Sequence, residues 1–308
     1  MSLSGGVDTQ WRDPAQRAPD RGEAASELAA RLPRLTARAH EIAASVVYGL
    51  HGRRRAGVGE TFWQYRPFAS GEPAARIDWR RSARGDYLYV REREWEAAQN
   101  YFLWMDCSSS MSFSSSLAPE DKLSRALTLG LALADVLVRG GERVAALGLT
   151  PPVSARNVVD QLASALHANA EVAARQELPP EAGLGSRAKI VMISDFLSPP
   201  EELAARLKAY AAVGASGALL MVIDPSEETL PFDGETLFLD TDGGEPFHAG
   251  DARQLQRAYA ERYAAHKHAI AEAARGAGFC FLQHHTDRPA AEGALALAMG
   301  LQDVEALR

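Results

Sequence analysis

From Asn100 onward, short apolar runs alternate with longer amphipathic segments, and that rhythm constrains the fold more than any other feature of the chain. The run YFLWMD (101–106) is continuously apolar until its last residue, as in a strand buried on both faces. Similar runs follow at RVAALGL (143–149), AKIVMISD (188–195), GALLMVID (217–224), ETLFLD (235–240) and GFCFLQH (278–284). Between them lie helical periods. Pro119 to Val138 puts Leu123, Leu127, Leu131, Ala134 and Leu137 on one face, and further helices are predicted over 155–166, 201–213, 252–274 and 291–299. The helix from Glu201 is opened by Pro199 and Pro200, a favoured start. This alternation predicts an α/β fold: a Rossmann-like, doubly wound, mostly parallel sheet with helices on both faces, over 99–308. Ligands of such sheets bind beyond the carboxyl ends of the strands, and three predicted strands end there in Asp106, Asp195 and Asp224.

The first hundred residues have a different character. Residues 1–25 are rich in Gly, Asp, Arg and Pro and are predicted to be a disordered tail. A helical period follows from Ser26 to Val47 (Leu28, Leu32, Leu35, Ala39, Ile42, Val46), with Pro33 expected to break or kink it. The remainder, to residue 98, reads as a β-rich extension, with strands around Phe62–Tyr65 and Tyr87–Glu92 separated by Gly-rich turns. Charge is uneven. Between His51 and Arg93 ten Arg face five acidic residues, a balance of +5, which leaves −12 for the rest of a chain whose net charge is −7. Such a basic segment either meets an anionic partner or packs through ion pairs. No run of 18 apolar residues exists, residues 1–20 lack a signal-peptide core, and the two cysteines, Cys107 and Cys280, sit in apolar surroundings. A cytoplasmic protein without a disulfide framework is expected.

The sharpest chemical signal is WMDCSSSMSF, which sets Asp106, Ser108 and Ser110 two residues apart just after the first strand of the α/β part. One carboxylate and two hydroxyls on a turn can converge on a hard cation, Mg²⁺ or Mn²⁺. Asp195, at the end of VMISD, can add a second carboxylate, directly or through water. An ion held by so few carboxylates keeps net positive charge and takes a further anionic ligand, such as a carboxylate from another protein.

The D-x-S-x-S turn after an apolar strand, with ISD after a later one, resembles the von Willebrand factor type A fold and its metal-ion-dependent adhesion site. The segment upstream, GRRRAGVGETFWQYRPFASGEPAARIDWRRSARGDYLYVREREWE, is similar to the bacterial family called domain of unknown function 58. Arg66, Phe68, Gly71, Glu72, Arg76, Ile77, Asp78, Trp79, Ala83 and Arg84 match its pattern. The resemblance implies metal ligands at Asp106, Ser108, Ser110 and Asp195. It also implies a MoxR-type AAA+ ATPase as partner, acting with this chain on a client protein in chaperone-like or maturation work. The chain has no G-x-x-x-x-G-K-(S/T), and GVGET lacks the lysine, so ATP hydrolysis would fall to the partner. One departure stands out. Adhesion sites of this fold take a threonine from a later loop, and between Ala165 and Asp195 there is none, with Ser186 the sole hydroxyl ahead of the strand that ends in Ser194 and Asp195. The five-ligand set is incomplete, and the sequence leaves metal occupancy open.

Plainer and rival readings stand beside these. Asp106, Ser108 and Ser110 could serve a turn or cap the following helix, Asp195 could cap the next loop, and Asp224 before Pro225 reads as a turn residue. Arg66, Arg76, Asp78 and Arg84 form either a docking face or a structural staple in which Trp79 packs under a sheet edge. His284 and His285 point to opposite faces of a strand and are not expected to share an ion. A metal-dependent phosphohydrolase acting through Asp106 is the enzymatic alternative, although Ser108 stands where its general acid belongs and no lysine is expected beside Asp195. Nucleic-acid binding through the Arg-rich segment, with Trp63, Tyr65, Trp79 and Tyr87 for stacking, is the third.

Overall fold

A computed structural model of the chain describes residues 21–53, 62–69, 71–93, 98–239 and 246–306. Most of the predicted tail and GVGET lie outside the described residues. In chain order the elements are α1 (Arg21–Arg53), β1 (Phe62–Pro67), α2 (Trp79–Ser82), β2 (Tyr89–Arg93), β3 (Asn100–Met105), α3 (Lys122–Arg139), β4 (Arg143–Ala146), α4 (Val158–Ala168) and α5 (Ala170–Ala173). Then come β5 (Lys189–Ser194), α6 (Pro200–Ala212), β6 (Ser216–Ile223), α7 (Pro225–Thr229), β7 (Thr236–Phe238), β8 (Phe247–Ala249), α8 (Arg253–Gly276), β9 (Phe279–His285) and α9 (Ala290–Ala306).

The chain divides into two compact units, residues 50–98 and the remainder. The larger unit is the expected doubly wound α/β fold. Its parallel five-stranded sheet has the order β4-β3-β5-β6-β9. In order of appearance that is 2-1-3-4-5, with the switch point between β3 and β5. Val153 adds an isolated antiparallel bridge to Val144 of β4 at that edge. β5 and β6 are buried along their whole length, which is why their sequences run apolar rather than alternate. α6 and α8 cover one face, closing a core that includes Ile190, Met192, Leu203, Leu207, Tyr263 and Ile270. The close packing calls for glycine at two points. A Cβ on Gly217 would lie 1.8 Å from the Ile190 carbonyl oxygen of the neighbouring strand, and one on Gly130 of α3 would lie 2.2 Å from Met105 Sδ.

Two expectations are corrected here. ETLFLD is no strand of the parallel sheet: its Thr236–Phe238 pairs antiparallel with β8 in a separate ribbon. A short apolar run carries no information about its partner, and this one packs through Phe232, Phe238 and Phe247. Pro33 does not end the first helix, which begins at Arg21, within the span read as tail, and continues to Arg53. An interior proline costs a helix about 3 kcal/mol. Against that, the buried stripe of Leu32, Leu35, Ala39, Ile42, Ala43 and Val46 contributes roughly 1.5–3 kcal/mol for each large side chain. Ion pairs from Arg31 to Asp121 and Arg38 to Glu120, and a 3.0 Å hydrogen bond between His40 and Asp135, fasten α1 to α3 and the loop before it.

The smaller unit is built on the antiparallel pair β1–β2, with Tyr65 opposite Arg91 and Arg66 opposite Val90. Ile77 bridges to Val90, and both are buried. This matches the strands predicted in the extension.

Candidate functional site at the sheet's switch point

Asp106 and Asp195 follow β3 and β5, the two strands that flank the switch point. The Asp106 amide donates to the Ile193 carbonyl (2.9 Å), so the chain stays in register with β5 until the carboxylate itself. Both carboxyl oxygens of Asp106 are engaged: Oδ1 accepts from the Ser108 amide (2.8 Å) and Oδ2 from the Ser194 hydroxyl (2.6 Å). The Ser108 and Ser110 hydroxyls lie 3.2 Å apart. Asp195 Oδ2 accepts from Lys122 Nζ at 2.8 Å, and Lys122 also pairs with Glu227 at the start of α7. Asp106, Ser108, Lys122 and Asp195 are all buried, while Ser110 is half-buried on the outward side of the turn.

Local structure explains these positions. Phe196, directly after Asp195, has φ +48°, a left-handed conformation costly for a residue with a side chain. Burial of its ring, its amide bond to Ser194 Oγ (2.9 Å) and a 2.7 Å contact between its carbonyl and His266 hold it there. Asp224 follows β6 and caps α7 in a capping box with Glu227, in agreement with its reading as a turn residue. It also accepts from the Ser115 amide (2.9 Å) and hydroxyl (2.6 Å), which ties the loop between the D-x-S-x-S turn and α3 to the end of β6. The cap of α3 is Asp121, through the Ser124 amide, and not the serine turn.

Burial and the nearby charge of Asp195 push the Asp106 carboxyl up to about 7. For Lys122, burial pulls the ammonium down, but the charges of Asp195 and Glu227 outweigh it and leave the pKa above the ordinary lysine value. Burial raises Glu227 despite the lysine beside it. A hard cation fits this donor set: every candidate ligand is oxygen, and burial, together with the nearby charge of Asp195, disfavours Asp106 as an anion without a counter-charge. Asp106, Ser108 and Ser110 would hold the ion, and Asp195 would join once released by Lys122. Thr150 does not supply the missing threonine, since its hydroxyl accepts from the Ala146 amide at the turn after β4. Among the described residues there is no cluster of three or more His, Cys, Asp or Glu arranged to bind a metal.

One expectation is reversed. A lysine does stand beside Asp195, and its signal in the sequence was a lone Lys opening an otherwise apolar helix. Both oxygens of Asp106 are hydrogen-bonded and buried, and Lys122 is engaged by two carboxylates. Ser194 and Glu227 are the other members that sequence reasoning missed.

The Arg-rich residues lie in the other unit. Arg66 pairs with Glu72 (Nη1–Oε2 3.0 Å), holding that carboxyl below its usual range, and Asp78 caps α2 through the Arg81 amide (2.9 Å). Both side chains are thus engaged within the unit. Arg76 and Arg84 are exposed. Trp79 is 61% exposed rather than packed under a sheet edge, and Tyr87 is 70% exposed. Arg81 instead stacks over Tyr65 and Tyr89, 5.5 and 5.4 Å from the ring centroids. As expected, the two adjacent histidines diverge. His284 is buried against Arg125 (2.7 Å), and burial and that charge lower it to about 4, whereas His285 contacts Glu228.

A family model described as "Protein of unknown function DUF58" matches residues 64–269. Uncharacterized proteins of Mycobacterium bovis and Mycobacterium tuberculosis are 26% identical over 281 residues, covering 85% of this chain and 86% of theirs. Two solved structures from Bacteroides cover about two thirds of the chain. The conserved hypothetical protein BatB of Bacteroides thetaiotaomicron (15% identity, TM-score 0.41) covers 68%, and an aerotolerance-related membrane protein of Bacteroides fragilis (16%, 0.37) covers 67%, each matched over 100% of its own length. Among the described residues no helix is long and apolar enough to cross a membrane.

Proposed function

The chain belongs to the family of proteins of unknown function DUF58, and on that premise we propose that it is a non-enzymatic protein-interaction module. Its switch-point edge is a metal-assisted docking site that works with a MoxR-type AAA+ ATPase on a client protein. The observation that supports this reading is that Asp106, Ser108 and Ser110 share the turn after β3 while Asp195 follows the neighbouring strand β5, near enough for its charge to act on Asp106. With Asp195 engaged by Lys122, a divalent ion beside Asp106 draws on one carboxylate and keeps net positive charge. It therefore takes a carboxylate from outside, and that carboxylate belongs to the partner or client. The likeness of this turn to the von Willebrand A adhesion site supports the same role. The exposed Trp79, Arg76 and Arg84 of the other unit supply a second, basic and aromatic contact surface. The ATP chemistry resides in the partner, since the chain carries no P-loop lysine motif.

The test is direct binding of the purified ATPase to wild type and Asp106→Ala by biolayer interferometry in Mg²⁺. The variant is expected to fold and to bind the partner, or partner with client, at least about tenfold more weakly. Equal affinity for both would overturn the metal-bridge role.

A further inference from the structure

Lys122 places a positive charge at the edge where a divalent ion would otherwise draw on two carboxylates. Its Nζ lies 2.8 Å from Asp195 Oδ2 and pairs with Glu227, and its side chain is 1% exposed. The residue is anchored at both ends. Its backbone opens α3 behind the Asp121 cap, and its ammonium stands 5.6 Å from the centroid of the Phe113 ring. Glu227 is fixed as well, because its other oxygen accepts from the Asp224 amide (2.9 Å) in the capping box. A lysine held by two carboxylates has an alternative when one is withdrawn: Glu227 retains it while Asp195 turns to another cation.

We propose that Lys122 is a tethered counter-cation that competes with a divalent ion for Asp195, with Glu227 as the holding partner that lets it yield. This rests on the reading of the edge as a cation site. Lys122 thereby sets how tightly the ion binds and how far that binding depends on a carboxylate from outside. Two substitutions act in opposite directions. Lys122→Met frees Asp195 for the ion. Glu227→Gln leaves the ammonium with Asp195 alone and strengthens the competition.

The experiment is calorimetric titration of MnCl₂ into full-length wild type, Lys122→Met, Glu227→Gln and Asp106→Ala, with melting temperatures measured in chelator and in Mn²⁺. Lys122→Met is expected to bind Mn²⁺ at least about tenfold tighter than wild type, Glu227→Gln about tenfold weaker, and Asp106→Ala not measurably. Lys122→Met also melts lower in chelator, because Asp195 and Glu227 lose their counter-charge, and Mn²⁺ raises its melting temperature more than that of wild type. Saturable binding in Lys122→Met where wild type shows none also supports the proposal. If wild type binds, Asp106→Ala does not, and both other variants keep wild-type affinity, the competition is refuted while the cation site stands. If none of the four binds Mn²⁺, the cation site itself is refuted and the competition with it. Should Lys122→Met fail to fold, Glu227→Gln decides alone, and wild-type affinity there refutes the proposal.

Discussion

Asp106→Asn in metal-free buffer measures the energetic cost of the buried carboxylate at the switch point. Burial and Asp195 move the Asp106 carboxyl from 3.8 to about 7 in the folded protein. At about 1.4 kcal/mol per pH unit, that rise corresponds to about 4 kcal/mol of unfavourable interaction once the group is ionised. The sign follows from proton binding. Between about pH 4 and pH 7 the folded state holds a proton on Asp106 that the unfolded state has released, so stability falls as pH rises through that window. Asparagine cannot ionise and escapes the penalty. It keeps one carbonyl acceptor for either the Ser108 amide or the Ser194 hydroxyl, at a fixed cost of about 1–3 kcal/mol for the contact it loses. The difference in unfolding free energy between the two proteins should therefore drift by about 4 kcal/mol between pH 4 and pH 8 in favour of the variant. Urea denaturation of both in chelator across that range reads the drift directly, with titrations common to both proteins cancelling. Parallel pH profiles would refute the argument that Asp106 is a buried anion lacking sufficient counter-charge.

Further predictions test packing, chemistry and surface. Gly217→Ala should abolish soluble expression, because its Cβ would meet the backbone oxygen of Ile190, whereas Gly130→Ala meets only the flexible end of Met105 and should cost about 1–3 kcal/mol in chemical denaturation. A Met105→Val change added to Gly130→Ala should recover part of that loss. Trp79→Ala should leave the melting temperature within about 2 °C of wild type but weaken binding of the ATPase, given how exposed the ring is. In a phosphatase assay with p-nitrophenyl phosphate and Mg²⁺, the protein is expected to show no turnover above the Asp106→Ala variant.

The parallel sheet was legible in the sequence because strands buried on both faces must be written in unbroken apolar residues, as in Lys189–Ser194 and Ser216–Ile223. The terminal aspartates were legible for a related reason: a carboxylate ending an apolar run marks where the chain leaves the sheet. ETLFLD obeyed the same rule but belongs to a ribbon, since its partner is Phe247–Ala249, a short segment that periodicity does not register as a strand. Pro33 was read from local propensity, which the buried α1 stripe overrides. Lys122 was missed because it sits 73 residues from Asp195, and only the crossover that sets β3 beside β5 brings α3 to that edge. The staple reading packed Trp79 under a sheet edge, yet α2 has four residues and leaves the ring outside.

The central claim, a cation at the switch-point edge, is tested most directly by crystals of the full chain soaked in Mn²⁺ and measured for anomalous scattering. The account predicts a peak among Asp106, Ser108 and Ser110 that vanishes in Asp106→Ala. A saturating soak with no peak at that turn, or with manganese only elsewhere on the surface, would contradict it.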